Sequence, residues 1–240
     1  MHTAIEGETL LALWERALAQ PMATRADALL GDGAGRGHAT LGERNARLAA
    51  LHAQLFGREL DLLSHCPACA AAAQFSGDCE VLAGTVSAEA AATHRLAVGD
   101  HLIEFRLPVA DDVNAASRHE DAEEFARALL ERCVVACTCA GVEVLPSRLP
   151  LAALDALSQR MEVLDPAASV SFALECPQCA SHWSAPLDLA QVVWQKLQAA
   201  AERLLLDVDT LARSYGWTER DVMALSATRR AAYVQMAAAS

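Results

Sequence analysis

The chain has 240 residues, 53% of them hydrophobic but only 5% aromatic, and a formal net charge of −12. That length allows one large domain or two small ones with a real core, and a composition rich in alanine suits packed helices better than a β-sandwich. A chain this acidic is repelled by phosphate backbones unless a basic patch is concealed, and no Lys/Arg run exceeds the pair Arg229-Arg230, which argues against nucleic acid or an anionic membrane as partner.

At the N-terminus, "MHTAIEGETLLALWERALAQ" carries Glu6 and Glu8 where a secretory signal carries positive charge. Nowhere do 18 apolar residues run together, so no membrane span is expected, and the protein is read as cytoplasmic. A first helix is predicted from about Glu8 to Ala19, with Leu10, Leu11, Trp14 and Leu18 on one face and Pro21 ending it. "GDGAGRGHAT" (31–40) has the glycines of a phosphate loop but neither its Gly-Lys-Ser/Thr ending nor a preceding strand, and reads as a connector. A helix follows over Leu41 to Phe56, stopped by Gly57, and then "RELDLLSH" as a strand. "HRLAVGDHLIEFRLPV" has the alternation of a hairpin turning at Val98-Gly99-Asp100. "DDVNAASRHEDAEEFARALLERC" is helical in one or two pieces, "VEVLP" a short strand, and "LPLAALDALSQRMEVL" a further helix. The order helix, strand, Cys-Pro-X-Cys, strand thus occurs twice, at about 41–76 and 150–187, as an echo of architecture.

The two Cys-Pro-X-Cys pairs, "LLSHCPACAAAAQF" and "FALECPQCASHWSA", stand 110 residues apart. A Cys-x-x-Cys turn presents two thiolates to one side of a tetrahedron, and two such turns facing each other complete a structural zinc site. The preferred ligand set is Cys66, Cys69, Cys176 and Cys179. Two separate sites are the variant, one from His65, Cys66, Cys69 and Cys79 and one from Cys176, Cys179 and His182. Such turns usually carry Gly after the second Cys, where φ is often positive; Ala70 and Ala180 stand there, pointing to a distorted turn or a pair without metal. Cys133, Cys137 and Cys139 lack a partner spacing and read as buried thiols. The rival reading is a thiol–disulfide oxidoreductase, which needs a long helix starting at the motif. "AAAAQFSGD" after Cys69 can begin one, whereas Pro186 argues against one after Cys179. No other catalytic motif is present, so the chain is read as non-enzymatic.

From Leu187 to Arg213 there is no Gly or Pro, and Leu197, Ala201, Leu204, Val208 and Leu211 recur at the seam spacing of packed helices. "SYGW" ends that helix, Thr218 caps the next with Asp221 three residues on, and Ser226 starts a last one. "DTLARSYGWTERDVMAL" has helix-turn-helix spacing, the basis of an alternative DNA-binding reading, but Glu219 and Asp221 outnumber Arg220 where a recognition helix would face phosphates. Trp194 reads as core. Trp183, Tyr215 and above all Trp217, beside its Gly turn, are the predicted partner-binding side chains.

"CPQCASHWSAPLDL", a long helix with Trp194, and "LLLDVDTLARSYGWTERDVMALSATRRAAYVQM" together resemble the phage baseplate hub assembly chaperones of the T-even type, whose relatives occur in contractile injection system gene clusters. The resemblance is best over about 170–236; "LFGRELDLLSHCPAC" and "FRLPVADDV" resemble segments of longer members, and Ala70 and Ala180 are departures. It implies a non-enzymatic role in building the baseplate or hub of a contractile tail, as an assembly chaperone or a lasting component, with hub proteins as partners. The expected fold is α+β and predominantly helical, with a small zinc-ribbon-like β element from the two hairpins and a C-terminal helical corner. Its expected segments are 1–80 with the first Cys pair, 81–149 as an inserted hairpin and helix, and 150–240 with the second pair and the C-terminal helices.

Overall fold

A computed structural model describes residues 7–31, 39–84 and 92–239, the side chain of Ala23 excepted. Most of the connector read at 31–40 therefore lies outside the described residues. In chain order the elements are α1 (Gly7–Leu18), α2 (Arg25–Leu29), α3 (Leu41–Phe56), β1 (Glu59–His65), β2 (Ala72–Asp78) and α4 (Cys79–Ala83). Next come β3 (His94–Val98), β4 (His101–Phe105), α5 (Ala110–Ala116), α6 (Ala122–Cys133), β5 (Val134–Cys139) and β6 (Val142–Glu143). The chain closes with α7 (Leu151–Leu164), β7 (Ser171–Glu175), β8 (His182–Pro186), α8 (Leu189–Tyr215), α9 (Glu219–Met223) and α10 (Ala227–Ala238). The fold is α+β with helix predominant. No helix among the described residues is long and apolar enough to cross a membrane.

The residues group into two compact units that interleave along the chain. One comprises 32–50 and 59–187. Its sheet runs β3-β4-β5-β6, all neighbours antiparallel. Alternation on β4 sends Ile103 and Phe105 into a core shared with Cys137 of β5 and with Leu154, Leu157 and Met161 of α7. Gly99, at φ 57°, makes the turn between β3 and β4. The strand expected at "VEVLP" shrinks to Val142–Glu143, and β5, for which no element was predicted, is the partner of both β4 and β6. The Asp112 carboxylate on α5 accepts hydrogen bonds from Arg106 Nη1 at 2.6 Å and Nη2 at 2.9 Å, from Arg132 Nε at 3.3 Å and from the Val109 amide at 3.1 Å. Burial opposes ionisation of Asp112, but its hydrogen bonds with Arg106 and Val109 and the charges of Arg106 and Arg132 hold the carboxyl below the usual range.

The remaining unit comprises 1–31, 51–58 and 188–240. Its centre is α8, where Leu197, Ala201, Leu204 and Leu211 form the expected buried stripe; Leu11 of α1 packs on Ala201 and Leu204, with Leu10, Trp14 and Met223 at the margin. Gly216 ends α8 in the left-handed region, at φ 69°, and its amide donates to the Ala212 carbonyl at 2.9 Å. Thr218 and Asp221 cap α9 reciprocally: the Asp221 amide donates to Thr218 Oγ1 at 3.3 Å and the Thr218 amide to Asp221 Oδ2 at 2.9 Å. Helices α8 and α9 meet at the Gly216 turn with Val222 buried, the helix-turn-helix arrangement expected of this segment, whose second helix is expected to be short. Helix α9 has five residues, little more than one turn, and offers no length of recognition helix for a groove. Trp194 is half-buried, with the Arg25 guanidinium 4.9 Å from its ring centroid.

Candidate metal centre

Strands β1 and β2 pair antiparallel from Glu59↔Asp78 to His65↔Ala72, and β7 and β8 from Ser171↔Pro186 to Glu175↔His182. Each hairpin ends in a Cys-Pro-X-Cys turn, and the two turns are built alike. The Cys66 amide donates to the Ala71 carbonyl and the Ala70 amide to the Cys66 carbonyl, both at 2.9 Å; Cys176, Ser181 and Ala180 repeat the pair of bonds at the same 2.9 Å. Closing the turn needs a left-handed residue after the second Cys. Ala70 and Ala180 supply it at φ 59° and 54°, conformations that alanine adopts at a cost of about 1–2 kcal/mol. The expectation that alanine here distorts the turn is therefore corrected: both turns keep the same bonds and the backbone carries the strain.

The hairpins face each other through their side chains. Phe75 of β2 and Phe172 of β7 meet at 5.1 Å between ring centroids, tilted by 57°. A Cβ on Gly77 would stand 3.0 Å from the tip of the Phe172 ring, so glycine leaves room for it. The Trp183 indole N–H donates to Ser64 Oγ at 3.3 Å, from β8 to β1. These contacts bring the two turns into register at their tips.

There, Cys66, Cys69, Cys176 and Cys179 come together with all four sulfurs within 4.8 Å of one another, the one such group of Cys, His, Asp or Glu ligands among the described residues. Contact crosses between the hairpins: Cys66 Sγ is 3.6 Å from Cys179 Sγ, and Cys69 Sγ is 3.5 Å from Cys176 Sγ. These separations are far from an S–S bond of about 2.05 Å, and all eight cysteines are free. They lie near the edge of about 3.8 Å that a tetrahedron of sulfurs has around a zinc ion with Zn–S bonds of about 2.3 Å. Four soft thiolates in this arrangement can hold a metal ion, and the residues present fit it. Cys66 and Cys176 are buried, Cys69 and Cys179 exposed.

As thiols, Cys69, Cys176 and Cys179 hold their protons unequally. Burial disfavours the Cys176 thiolate, but the Gln178 and Cys179 amides and the neighbouring thiols point hydrogens at its sulfur, Gln178 N at 3.4 Å, and bring it down to about 6. Cys179 receives the Ser181 amide, which favours its thiolate, yet the sulfurs of Cys176 and Cys69 outweigh this and push it up to about 12. Cys69 is raised as well: the Ala71 amide favours its thiolate, but the proton it shares with Cys176 prevails. Amide hydrogens aimed at sulfur stabilise thiolate charge, the form in which cysteine binds metal.

The other sequence-derived residues lie elsewhere. Cys79 is buried at the start of α4 and His65 and His182 end and begin strands, so the two-site variant does not assemble: neither His65 and Cys79 nor His182 joins the four sulfurs. Cys133 and Cys137 are buried as expected, Cys137 donating to the Val144 carbonyl at 2.9 Å, whereas Cys139 is only half-buried. Burial, with the Asp112 charge nearby, pushes Cys133 up to about 12. Trp183 is half-buried between the hairpins. Trp217, also half-buried, stacks on Tyr215 at 5.0 Å and meets Tyr233 edge-on at 4.9 Å, and Tyr215 keeps 40% of its surface exposed. The helix that a redox motif requires is absent from both turns, since "AAAAQFSGD" continues into β2 and "ASHWSAPLDL" into β8. Sequence reasoning missed Ser64, Phe75, Gly77 and Phe172, which align the hairpins; the one local signal was Phe75 standing between the polar Gln74 and Ser76.

Family models, curated proteins and solved structures were all compared with the chain, and none matches it.

Proposed function

We propose that the protein is a non-enzymatic assembly chaperone or structural component of a contractile, phage-tail-like baseplate or hub, acting by binding other proteins and held in shape by a structural zinc ion. The observation that carries the zinc reading is the group of four cysteine sulfurs at the tips of two facing hairpins. Cys66 and Cys69 from one hairpin and Cys176 and Cys179 from the other would hold the ion. When bound it supplies a cross-link between segments 110 residues apart, of the size that folds small zinc domains, about 10–16 kcal/mol in apparent binding free energy. With four protein ligands the site is closed, as structural rather than catalytic zinc sites are.

The baseplate reading rests on the resemblance of "CPQCASHWSAPLDL" and the segment through "LSATRRAAYVQM" to the hub assembly chaperones. The acidic charge of −12 and the aromatic group of Tyr215, Trp217 and Tyr233 are consistent with a chain that works through protein contacts. Purified contractile particles, probed by mass spectrometry beside a tagged pull-down from lysate, test this. Stoichiometric presence in particles is expected for a component, and absence from particles with capture of hub proteins for a chaperone. Neither outcome appearing would overturn the reading.

A further inference from the structure

Two sulfur contacts in the metal centre, at 3.5 and 3.6 Å, each join a thiol of one hairpin to a thiol of the other, and each joins an exposed cysteine to a buried one. Cys179 (exposed) meets Cys66 (buried) at 3.6 Å, and Cys69 (exposed) meets Cys176 (buried) at 3.5 Å. Cys69 and Cys179 open the centre to an oxidant from solvent, and for each of them a sulfur of the opposite hairpin is in contact. Within each motif the paired 2.9 Å bonds close the turn, and Ala70 and Ala180 hold the left-handed conformation that ends it.

From this geometry we infer that the centre is a site of reversible oxidative modification, in which peroxide links the hairpins by the disulfides Cys66–Cys179 and Cys69–Cys176. In each pair, one thiol is oxidised by hydrogen peroxide to a sulfenic acid, releasing one water. The thiol of the facing hairpin then attacks that sulfur; the S–S bond forms, the S–OH bond breaks, and the hydroxyl leaves with the thiol proton as a second water. Two peroxides are reduced per centre, four thiols become two disulfides, and a metal ion bound there loses all its ligands and is released. A dithiol reductant reverses both steps. The consequence for the fold is specific. Disulfides inside each motif would leave the hairpins unconnected once the metal had gone, whereas cross-hairpin disulfides replace the metal's link with a covalent one. Oxidation then exchanges one clamp for another, and Phe75–Phe172 and Trp183–Ser64 remain in place.

This inference rests on the four-cysteine reading of the metal centre but not on which metal is bound. The experiment is peptide mapping after mild hydrogen peroxide treatment and alkylation, on the full chain both as purified and after chelator stripping. Metal content is recorded separately beforehand, so that an absent zinc and a wrong connectivity give different results. Trypsin places the motifs on separate peptides, residues 59–95 and 161–196, because no Lys or Arg lies between Arg58 and Arg95 or between Arg160 and Lys196. The expected result is one species joining the two peptides, lighter by about 4 Da, the four hydrogens of two disulfides. Fragmentation is expected to assign Cys66–Cys179 and Cys69–Cys176, and dithiothreitol to reverse the link. In Cys179→Ser the Cys69–Cys176 link is expected to persist. Two unlinked peptides, each about 2 Da lighter through Cys66–Cys69 and Cys176–Cys179, would overturn the proposal, as would irreversible sulfinic or sulfonic acids or no oxidation at all.

Discussion

The Asp165 carboxylate accepts a hydrogen bond from the Gly42 amide at 2.9 Å, across 123 residues of sequence. Gly42 lies in the first turn of α3 and Asp165 just after α7, so the bond joins the helices that lead into the two cysteine hairpins. Its position on α3 is favourable, since amides at a helix N-terminus point outward unpaired and carry partial positive charge. Beside it, Thr40 and Glu43 exchange the reciprocal bonds of a capping box at 2.9 and 3.2 Å. A Cβ on residue 42 would overlap the Asp165 carboxylate, so glycine is required by close approach.

Two substitutions test that contact. Asp165→Ala leaves the Gly42 amide without its carboxylate and is expected to cost about 1–3 kcal/mol. Gly42→Ala forces the carboxylate away and is expected to destabilise comparably, although alanine ordinarily favours a helix by about 1 kcal/mol. Urea denaturation of both variants measures this; a stabilised Gly42→Ala would show that the contact is not made.

The Ala70 and Ala180 backbones carry strain that glycine would remove. Ala70→Gly and Ala180→Gly are each expected to stabilise by about 0.5 kcal/mol, because relief of a cost of about 1–2 kcal/mol exceeds the entropy glycine adds to the unfolded chain. The same substitution in the middle of α8, at Ala201, is expected to destabilise. Thermal melts of the three variants at equal metal content give the comparison, and destabilisation at positions 70 and 180 would refute the left-handed geometry.

Asp112 gives the fold an acid limit. Its carboxyl sits below the usual range in the folded chain, held by Arg106 and Arg132 against the opposing effect of burial. The folded state therefore binds its proton less readily than the unfolded state does. The stability it contributes is fully present above the unfolded value of about 3.9 and is lost as pH falls through the lower folded value. Asp112→Asn is expected to cost about 2 kcal/mol at neutral pH and to flatten the acid limb of a stability–pH curve. An unchanged acid limb in the variant would contradict this assignment.

What the sequence disclosed was whatever is encoded within a few residues. Thr218 and Asp221 are three apart and cap one helix, Gly216 ends another, and each cysteine pair fits in a single turn. Strand β5 escaped because α6 runs into it at Cys133-Val134 with no glycine or proline to mark the change. Its register comes instead from β4, through a shift between Glu104 and Phe105. The Gly42–Asp165 bond and the Arg106–Asp112–Arg132 group were not legible either, because nothing local distinguishes those residues from solvated ones. The four cysteines could be joined into one site from sequence because both motifs have the same chemistry, whereas the aromatic contacts that align the hairpins depend on how the strands face each other.

Trp217 is the side chain on which the partner-binding proposal turns. Trp217→Ala removes the ring that Tyr215 stacks on and Tyr233 meets edge-on, at 5.0 and 4.9 Å. It is expected to reduce capture of hub proteins at least tenfold, a change of about 1.4 kcal/mol, while leaving metal content unchanged. Undiminished capture by a folded Trp217→Ala protein would remove this residue from the interface.

The central claim, one structural zinc held by Cys66, Cys69, Cys176 and Cys179, is tested most directly by native mass spectrometry of the purified chain with elemental analysis of the same sample. The expected result is one zinc ion per chain, lost in Cys176→Ser together with a marked fall in melting temperature. A chain that folds with equal stability with and without metal, or one whose zinc survives Cys176→Ser, would contradict it.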